Sequence, residues 1–150
     1  MAHSYTKCLY HCVFSTKERR NLIPREFEDR LWAYIGGIAR TNGFRALSVG
    51  GTSCHAHALL SLPATMPIAS GVQLVKAGSS KWLHEEFPAL RVFAWQEGYG
   101  AFSIGVSQVD DTVRYIARQA EHHHTQTFED EFLAILGKCG IEYDERYVFG

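Results

Sequence analysis

The segment 54–62, CHAHALLSL, constrains the fold of this chain more than any other part of it. Side chains on a β-strand point alternately to the two faces of a sheet. Here one face is wholly apolar, with Ala56, Ala58, Leu60 and Leu62. The other face carries His55 and His57 beside each other. The segment therefore predicts a strand that packs its apolar face against helices and presents two imidazoles on its second face.

The remaining apolar patterns predict the order of strands and helices. Further strands are predicted at Cys8–Ser15, 44–49 and 101–104, with an extended stretch at 93–95. Helices are predicted from Pro24 to Gly43 and over about 69–87, and Ser107 and Thr127 are the predicted N-caps of two more. The first six elements follow the split βαβ order of ferredoxin-like proteins. We therefore predict an α+β fold: an antiparallel ferredoxin-like sheet with helices on one face, the other face open, and additional C-terminal helices.

No repeat, linker or low-complexity segment divides the 150 residues, so residues 1–150 are predicted to form a single domain. Hydrophobic residues make up 46% of the chain, which is enough for a buried core. The helix that begins at Ser107 is predicted to cover about 107–126. The tract His122-His123-His124 is expected at its C-terminal end, where imidazolium suits the helix dipole.

Charge and cysteine usage limit the possible partners and location. Lys and Arg number 15 against 16 Asp and Glu, so the net charge of −1 excludes a globally basic DNA-binding protein. We find no secretion signal and no apolar run of the roughly 18 residues that cross a membrane. The four cysteines show no CxxC spacing, which indicates reduced thiols in a cytoplasmic protein. A zinc site formed by Cys8, Cys12, Cys54 and nearby histidines is an alternative.

Two short patterns carry the candidate chemistry. His55 and His57 could share one divalent cation, although two surface histidines on an open sheet would show the same pattern. Tyr115 and Gln119 are four residues apart, and so lie one turn from each other on the predicted third helix. A tyrosine beside a metal ion can act as a nucleophile, and an amide oxygen can bind a hard cation. An amphipathic tyrosine at the edge of a core and a solvated glutamine would also fit.

Together, the H-x-H and Y-x-x-x-Q patterns resemble those of the HUH, single-tyrosine transposases of the IS200/IS605 insertion-sequence family. The resemblance covers nearly the whole chain and extends to the stretches 10–17 (YHCVFSTK), 50–51 (GG), 59–63 (LLSLP), 76–82 (KAGSSKW), 95–103 (WQEGYGAFS), 115–123 (YIARQAEHH) and 127–132 (TFEDEF).

The resemblance implies a role for each site residue. His55, His57 and Gln119 would bind Mg²⁺ or Mn²⁺, and Tyr115 would be the nucleophile. It would attack a phosphate of single-stranded DNA, leaving a 5′-phosphotyrosine link and a free 3′-OH. The family also implies a homodimer that recognises DNA hairpins, with the tyrosine helix of one subunit able to complete the site of the other. It implies neither a membrane nor a small-molecule substrate.

Basic residues are the candidate DNA contacts. They lie after the first strand, on the second helix and beside Tyr115: Lys17, Arg19, Arg20, Lys76, Lys81, Arg114 and Arg118. The alternative for each of them is an ordinary solvated side chain.

Three other functions are compatible with parts of the pattern. A domesticated relative would keep the nuclease chemistry but process host repeats. A non-catalytic hairpin-binding module could use the same sheet topology, which also serves RNA binders. A structural zinc protein would use the cysteines.

Overall fold

The computed structural model describes residues 3–122 and 125–150. The prediction for the histidine tract that ends in His123 and His124 lies outside the described residues. Within the described ranges, no helix has the length and apolar character that a membrane span requires.

A four-stranded antiparallel sheet forms the centre of the fold. Its strands are β1 (Cys8–Ser15), β2 (Arg45–Gly51), β3 (His55–Leu62) and β4 (Gly100–Ile104), in the spatial order β2-β3-β1-β4. Strand β1 lies between β3 and β4, so that Val13 has His57 on one side and Gly100 on the other. This arrangement confirms the predicted α+β fold with a ferredoxin-like antiparallel sheet.

Two helices cover the apolar face of the sheet. They are α1 (Glu28–Thr41) and α2 (Ile68–Glu86). The main core joins the apolar residues of β3 to both helices: Ala56, Ala58, Leu60, Leu62, Leu31, Ile35, Val72, Val75 and Leu83. Because full burial of each large aliphatic side chain contributes roughly 1.5–3 kcal/mol, this core fixes which face of β3 carries the histidines. The predicted alternation along β3 is confirmed.

The expectation that the second face stays open is wrong. Helices α3 (Val109–Ala117), α4 (Gln119–His122) and α5 (Phe128–Lys138) follow β4. A second apolar cluster forms between the sheet and α5, with Val13, Phe102, Phe128, Phe132 and Leu136. The apolar residues of α5 recur every four positions and need a surface to pack against, and the histidine-bearing face of the sheet provides it.

One helix was predicted over about 107–126, but the segment that carries Tyr115 is divided between two helices, α3 and α4. Helix α3 follows a 3₁₀ turn at Val106–Gln108, in which the Gln108 side chain accepts a hydrogen bond from the Gly105 N–H at 2.8 Å. The predicted N-cap at Ser107 is therefore wrong: Ser107 lies inside the 3₁₀ turn, and Gln108 is the residue that precedes α3. Arg118 leaves helical geometry with φ −103° and ψ 20°, so α3 ends at Ala117 and α4 begins at Gln119.

Strand β2 and the extended stretch at 93–95 also differ from their predicted bounds. Strand β2 extends to Gly51, because Gly50 and Gly51 pair with His57 and Ala56 instead of forming the turn. The extended stretch at 93–95 reduces to a bridge between Trp95 and Thr16 just beyond the end of β1. It is too short to form a strand of its own.

Candidate active site

Strand β3 holds the two histidines at the centre of the second face of the sheet. Both side chains are fully buried, at 0% exposure. Their Nε2 atoms point toward the same atom, Oε1 of Glu131, which lies 3.1 Å from His57 Nε2 and 3.6 Å from His55 Nε2. Two imidazoles and a carboxylate therefore converge on one buried point.

The outer nitrogen of each imidazole also has a partner. The Thr52 hydroxyl lies 3.0 Å from His55 Nδ1, and His11 Nε2 lies 2.8 Å from His57 Nδ1. The ring of His11 also stacks on that of His57, with centroids 5.0 Å apart. Such outer partners set the orientation of an imidazole and the position of its proton. Here they turn both Nε2 atoms toward Glu131.

Glu131, on α5, is the main site residue that the sequence predictions missed. It is 2% exposed, in the middle of the apolar face of its helix. The predicted N-cap is confirmed, because the Thr127 hydroxyl accepts the Asp130 N–H at 3.1 Å and so fixes the first turn. The signal that could have found Glu131 is its spacing, three residues after Phe128 and one before Phe132. A carboxylate at such a position needs buried partners.

Gln119 links the histidines to the carboxylate. Its side chain is 1% exposed. Its Oε1 atom lies 2.9 Å from His55 Nε2, and its Nε2 atom donates to Glu131 Oε2 at 3.1 Å. The structure therefore brings Gln119 beside His55, as the H-x-H and Y-x-x-x-Q patterns together suggested, although it lies on a separate helix from Tyr115.

Tyr115 lies at the mouth of the same cluster. Its hydroxyl donates a hydrogen bond to Glu131 Oε2. Its ring contacts the edges of His11 and His57, with centroids 5.9 and 5.7 Å apart. Burial, followed by the nearby Glu131 carboxylate, raises the pKa of the phenol above its usual range. The phenol is therefore protonated at neutral pH.

A glycine on β2 allows the tyrosine helix to approach the sheet closely. A Cβ atom at Gly50 would lie 2.6 Å from the carbonyl oxygen of Ile116 and 3.0 Å from its Cγ2. Real Cβ atoms almost never make contacts this short, so α3 could not pack here against any other residue. The position of Tyr115 relative to the histidines depends on this contact.

The donor set fits a divalent cation. One ligand atom from each of His55, His57 and Glu131 lies within 4.8 Å of the others, and Gln119 Oε1 adds an amide oxygen beside them. Imidazole nitrogen with carboxylate and amide oxygen is a mixed set that suits Mn²⁺ and similar divalent ions. In the described part of the chain, no cysteine joins a cluster of this kind. The alternative zinc site is therefore not formed, and Cys12 lies in the core on the opposite face.

The candidate DNA contacts after β1 lie near the start of α5. Lys17, Arg19 and Arg20 follow β1 in a turn where Glu18 and Arg19 adopt left-handed φ values of 58° and 57°. The Arg19 guanidinium pairs with Glu129 at 2.7 Å and covers the ring of Phe149 at 4.7 Å.

The other candidates divide between the two faces of the sheet. Arg114 and Arg118 flank Tyr115, and Arg114 pairs with Asp111. Lys76 and Lys81 lie on α2, which packs on the opposite face. Lys81 is exposed, whereas Lys76 donates to the carbonyls of Gln96, Glu97 and Gly98 at 2.5, 3.2 and 2.8 Å. Of this group, only Arg114 and Arg118 lie next to the tyrosine along the chain.

Comparison with solved structures identifies similar folds. A protein from Deinococcus radiodurans that is described as a transposase is 23% identical and superposes with a TM-score of 0.65 over 79% of this chain and 96% of its own. A REP-associated tyrosine transposase bound to a REP hairpin is 19% identical, with a TM-score of 0.59 over 82% of this chain and 73% of its own. At these identities the likeness concerns the fold alone.

Sequence comparison assigns the family. The transposase of the insertion sequence IS200 from Salmonella typhimurium is 28% identical over 123 residues, 77% of this chain and 80% of its own length. The ISDra2 transposase TnpA of D. radiodurans is 27% identical over 86 residues, 57% of this chain and 61% of its own. A family model described as "Transposase IS200 like" matches residues 4–119, which include His55, His57, Tyr115 and Gln119. The chain therefore belongs to the IS200-like transposase family.

Proposed function

We propose that this chain cleaves and rejoins single-stranded DNA through a covalent 5′-phosphotyrosine link to Tyr115, in a reaction that depends on Mg²⁺ or Mn²⁺. One observation carries the proposal. The Tyr115 hydroxyl and the Nε2 atoms of His55 and His57 converge from α3 and β3 on the buried carboxylate of Glu131. A nucleophile beside a cation-binding cluster is the arrangement that phosphoryl transfer requires.

The cation would be held by four side chains. These are His55 and His57 through Nε2, Gln119 through Oε1 and Glu131 through Oε1. When bound, the cation would polarise a non-bridging oxygen of the phosphate. Glu131 adds a negative charge to the neutral set of two histidines and a glutamine that the family resemblance implies.

The partners of the imidazoles allow them to change tautomer when a cation binds. Both Nε2 atoms face acceptor oxygens, an arrangement that favours the ring proton on Nε2. Binding through Nε2 requires that the proton move to Nδ1. There it can be donated to the Thr52 hydroxyl from His55 and to Nε2 of His11 from His57. The outer contacts therefore satisfy both tautomers.

The DNA strand would reach Tyr115 through the cleft between α3 and α5. This cleft has a volume of about 670 Å³ and is lined in part by His11, Phe102, Gln108, Tyr115 and Ile135. We propose that Arg114 and Arg118 contact the phosphates beside the cleaved bond. The covalent tyrosine ester would conserve the energy of the phosphodiester, so rejoining needs no nucleotide cofactor.

The assembly and the substrate are further parts of the proposal. We propose that the chain acts in the cytoplasm as a homodimer on DNA hairpins. The solved relative with a bound REP hairpin supports a hairpin substrate. Because Tyr115 contacts the Glu131 of its own chain, we propose that cleavage occurs within one subunit.

A denaturing gel tests the chemistry. Purified protein would be mixed with Mn²⁺ and end-labelled single strands from both sides of its own gene, and separately with repeat hairpins from the host genome. We expect a covalent protein–DNA band that is absent from Tyr115→Phe and His57→Ala. Tyr147→Phe is the matched control, because Tyr147 is 70% exposed and should keep the band. A hairpin shift on a native gel without any covalent band would favour the binding module instead.

A further inference from the structure

We infer that Glu131 is a catalytic residue that accepts the phenol proton of Tyr115 as the tyrosine attacks the phosphate. This inference rests on the proposed function and adds a general base to it. Glu131 lies beyond residues 4–119, the part of the chain that the family model matches.

The two oxygens of the carboxylate face different partners. Oε1 faces the histidines, at 3.1 Å from His57 Nε2 and 3.6 Å from His55 Nε2. Oε2 accepts the Tyr115 hydroxyl and, at 3.1 Å, the amide of Gln119. One oxygen is therefore directed at the cation-binding cluster, while the other already receives the proton that the reaction must remove.

The imidazoles that pack against the tyrosine are engaged with each other. His11 Nε2 and His57 Nδ1 share a hydrogen bond of 2.8 Å, and His57 Nε2 faces Glu131. The carboxylate is thus the base aligned with the phenol. Its burial at 2% exposure, with the Gln119 amide against Oε2, holds it in a single orientation.

The phenol needs such a base. Tyrosine has an ordinary pKa of about 10, and a neutral phenol is a weak nucleophile at pH 7. A general base in direct contact removes the need for a free phenolate.

Cleavage exchanges one bond to phosphorus for another and moves one proton. A bond forms between the Tyr115 oxygen and phosphorus, and the phenol proton moves to Glu131 Oε2. The bond between phosphorus and O3′ breaks, and O3′ leaves with the electron pair and takes a proton from solvent water. In the rejoining step a 3′-OH attacks the phosphotyrosine and releases its proton to solvent water, while the protonated Glu131 returns its proton to the departing tyrosine oxygen.

A chemical rescue experiment tests this role. In Glu131→Gln the amide keeps the shape of the side chain but cannot accept the proton, so covalent adduct formation should slow by about 10²–10⁴-fold. A fluorinated tyrosine at position 115 has a more acidic phenol and depends less on a base. It should restore much of the rate in Glu131→Gln and have a smaller effect in the chain that retains Glu131. Asp130→Asn, on the same turn of α5, should cleave at the wild-type rate.

Independent readouts separate the possible outcomes. Thermal unfolding checks that Glu131→Gln folds. Calorimetry with Mn²⁺ alone measures the cation affinity of the variant and of the unmodified chain without any reaction. The rates are compared at a Mn²⁺ concentration that saturates each variant, and if the fluorinated tyrosine then restores no rate in a folded Glu131→Gln, the base role is overturned. A wild-type rate in Glu131→Gln would overturn it as well. If the unmodified chain forms no covalent band at all, the proposed function fails rather than the role of Glu131. In the chain that retains Glu131, the fluorinated tyrosine should have only a small effect on the rate. A large acceleration in that chain would also count against Glu131 as the base.

Discussion

Replacing Gly50 with alanine should displace the tyrosine helix without touching any proposed ligand. The new Cβ would lie 2.6 Å from the Ile116 carbonyl oxygen, whereas ordinary contacts begin at 3.4 Å. Strand β2 and helix α3 would therefore have to separate by about 0.8 Å. Such overpacking costs about 1–3 kcal/mol of folding free energy. Because Tyr115 directly precedes Ile116, the hydroxyl would move by a similar distance, and a misplacement of about 1 Å can cost about 10²-fold in rate.

Two measurements on one preparation check this prediction. Urea denaturation gives the free energy of unfolding, and the rate of covalent adduct formation gives the activity. Gly36→Ala is the matched control, because nothing lies within 4 Å of the Cβ position at Gly36, on helix α1. It should be neutral or slightly stabilising, since alanine favours a helix. If Gly50→Ala kept both wild-type stability and the wild-type rate, the close packing of α3 on β2 would not position the nucleophile.

Three further predictions concern other contacts. Lys76→Met should lower the free energy of unfolding by about 1–3 kcal/mol, because the hydrogen bonds of Lys76 to three carbonyls are lost. The same variant should leave the salt dependence of DNA binding unchanged. A weaker salt dependence would instead show that Lys76 contacts a phosphate. Thr127→Ala should cost about 1 kcal/mol in urea denaturation through loss of the α5 cap, and no loss would contradict the capping role. Burial, followed by His57, lowers the pKa of His11 from 6.5 to about 3, so the unfolded chain binds the extra proton between these values. The metal-free protein should therefore lose up to about 1.4 kcal/mol of stability per pH unit below pH 6.5, and His11→Asn should flatten that slope.

The sheet and the histidine pair could be predicted because they depend on local patterns. The alternation along β3 separates apolar residues from His55 and His57 without reference to any other segment. The Thr127 cap is equally local, since its partner Asp130 lies three residues away.

The rest of the site depends on contacts that no local pattern contains. His11 pairs in register with Leu59, and His57 with Val13, so the contact between the two imidazoles is diagonal across two strands. To predict this contact, one would need to know the register in which β1 pairs with β3. Glu131 reaches the histidines only because α5 folds back over the second face, and that packing was not expected from a sheet with one open face.

The position of Gln119 shows the same limit. Four-residue spacing predicted one continuous helix for Tyr115 and Gln119, but Arg118 departs from helical geometry between them. Both side chains still reach Glu131, because Gln119 begins a new helix and is held there by the carboxylate and by His55. Tertiary hydrogen bonds, rather than helix periodicity, set its orientation.

The most direct test of the account is to locate the DNA on the protein. After reaction with single-stranded DNA and Mn²⁺ and digestion of the DNA with nuclease, trypsin should cut after Arg114 and Arg118 and release the peptide Tyr115-Ile116-Ala117-Arg118. Mass spectrometry should find this peptide carrying a nucleotide through its tyrosine when the cation is present, and unmodified when it is chelated. A nucleotide on another residue, or modification that persists without a divalent cation, would contradict the account.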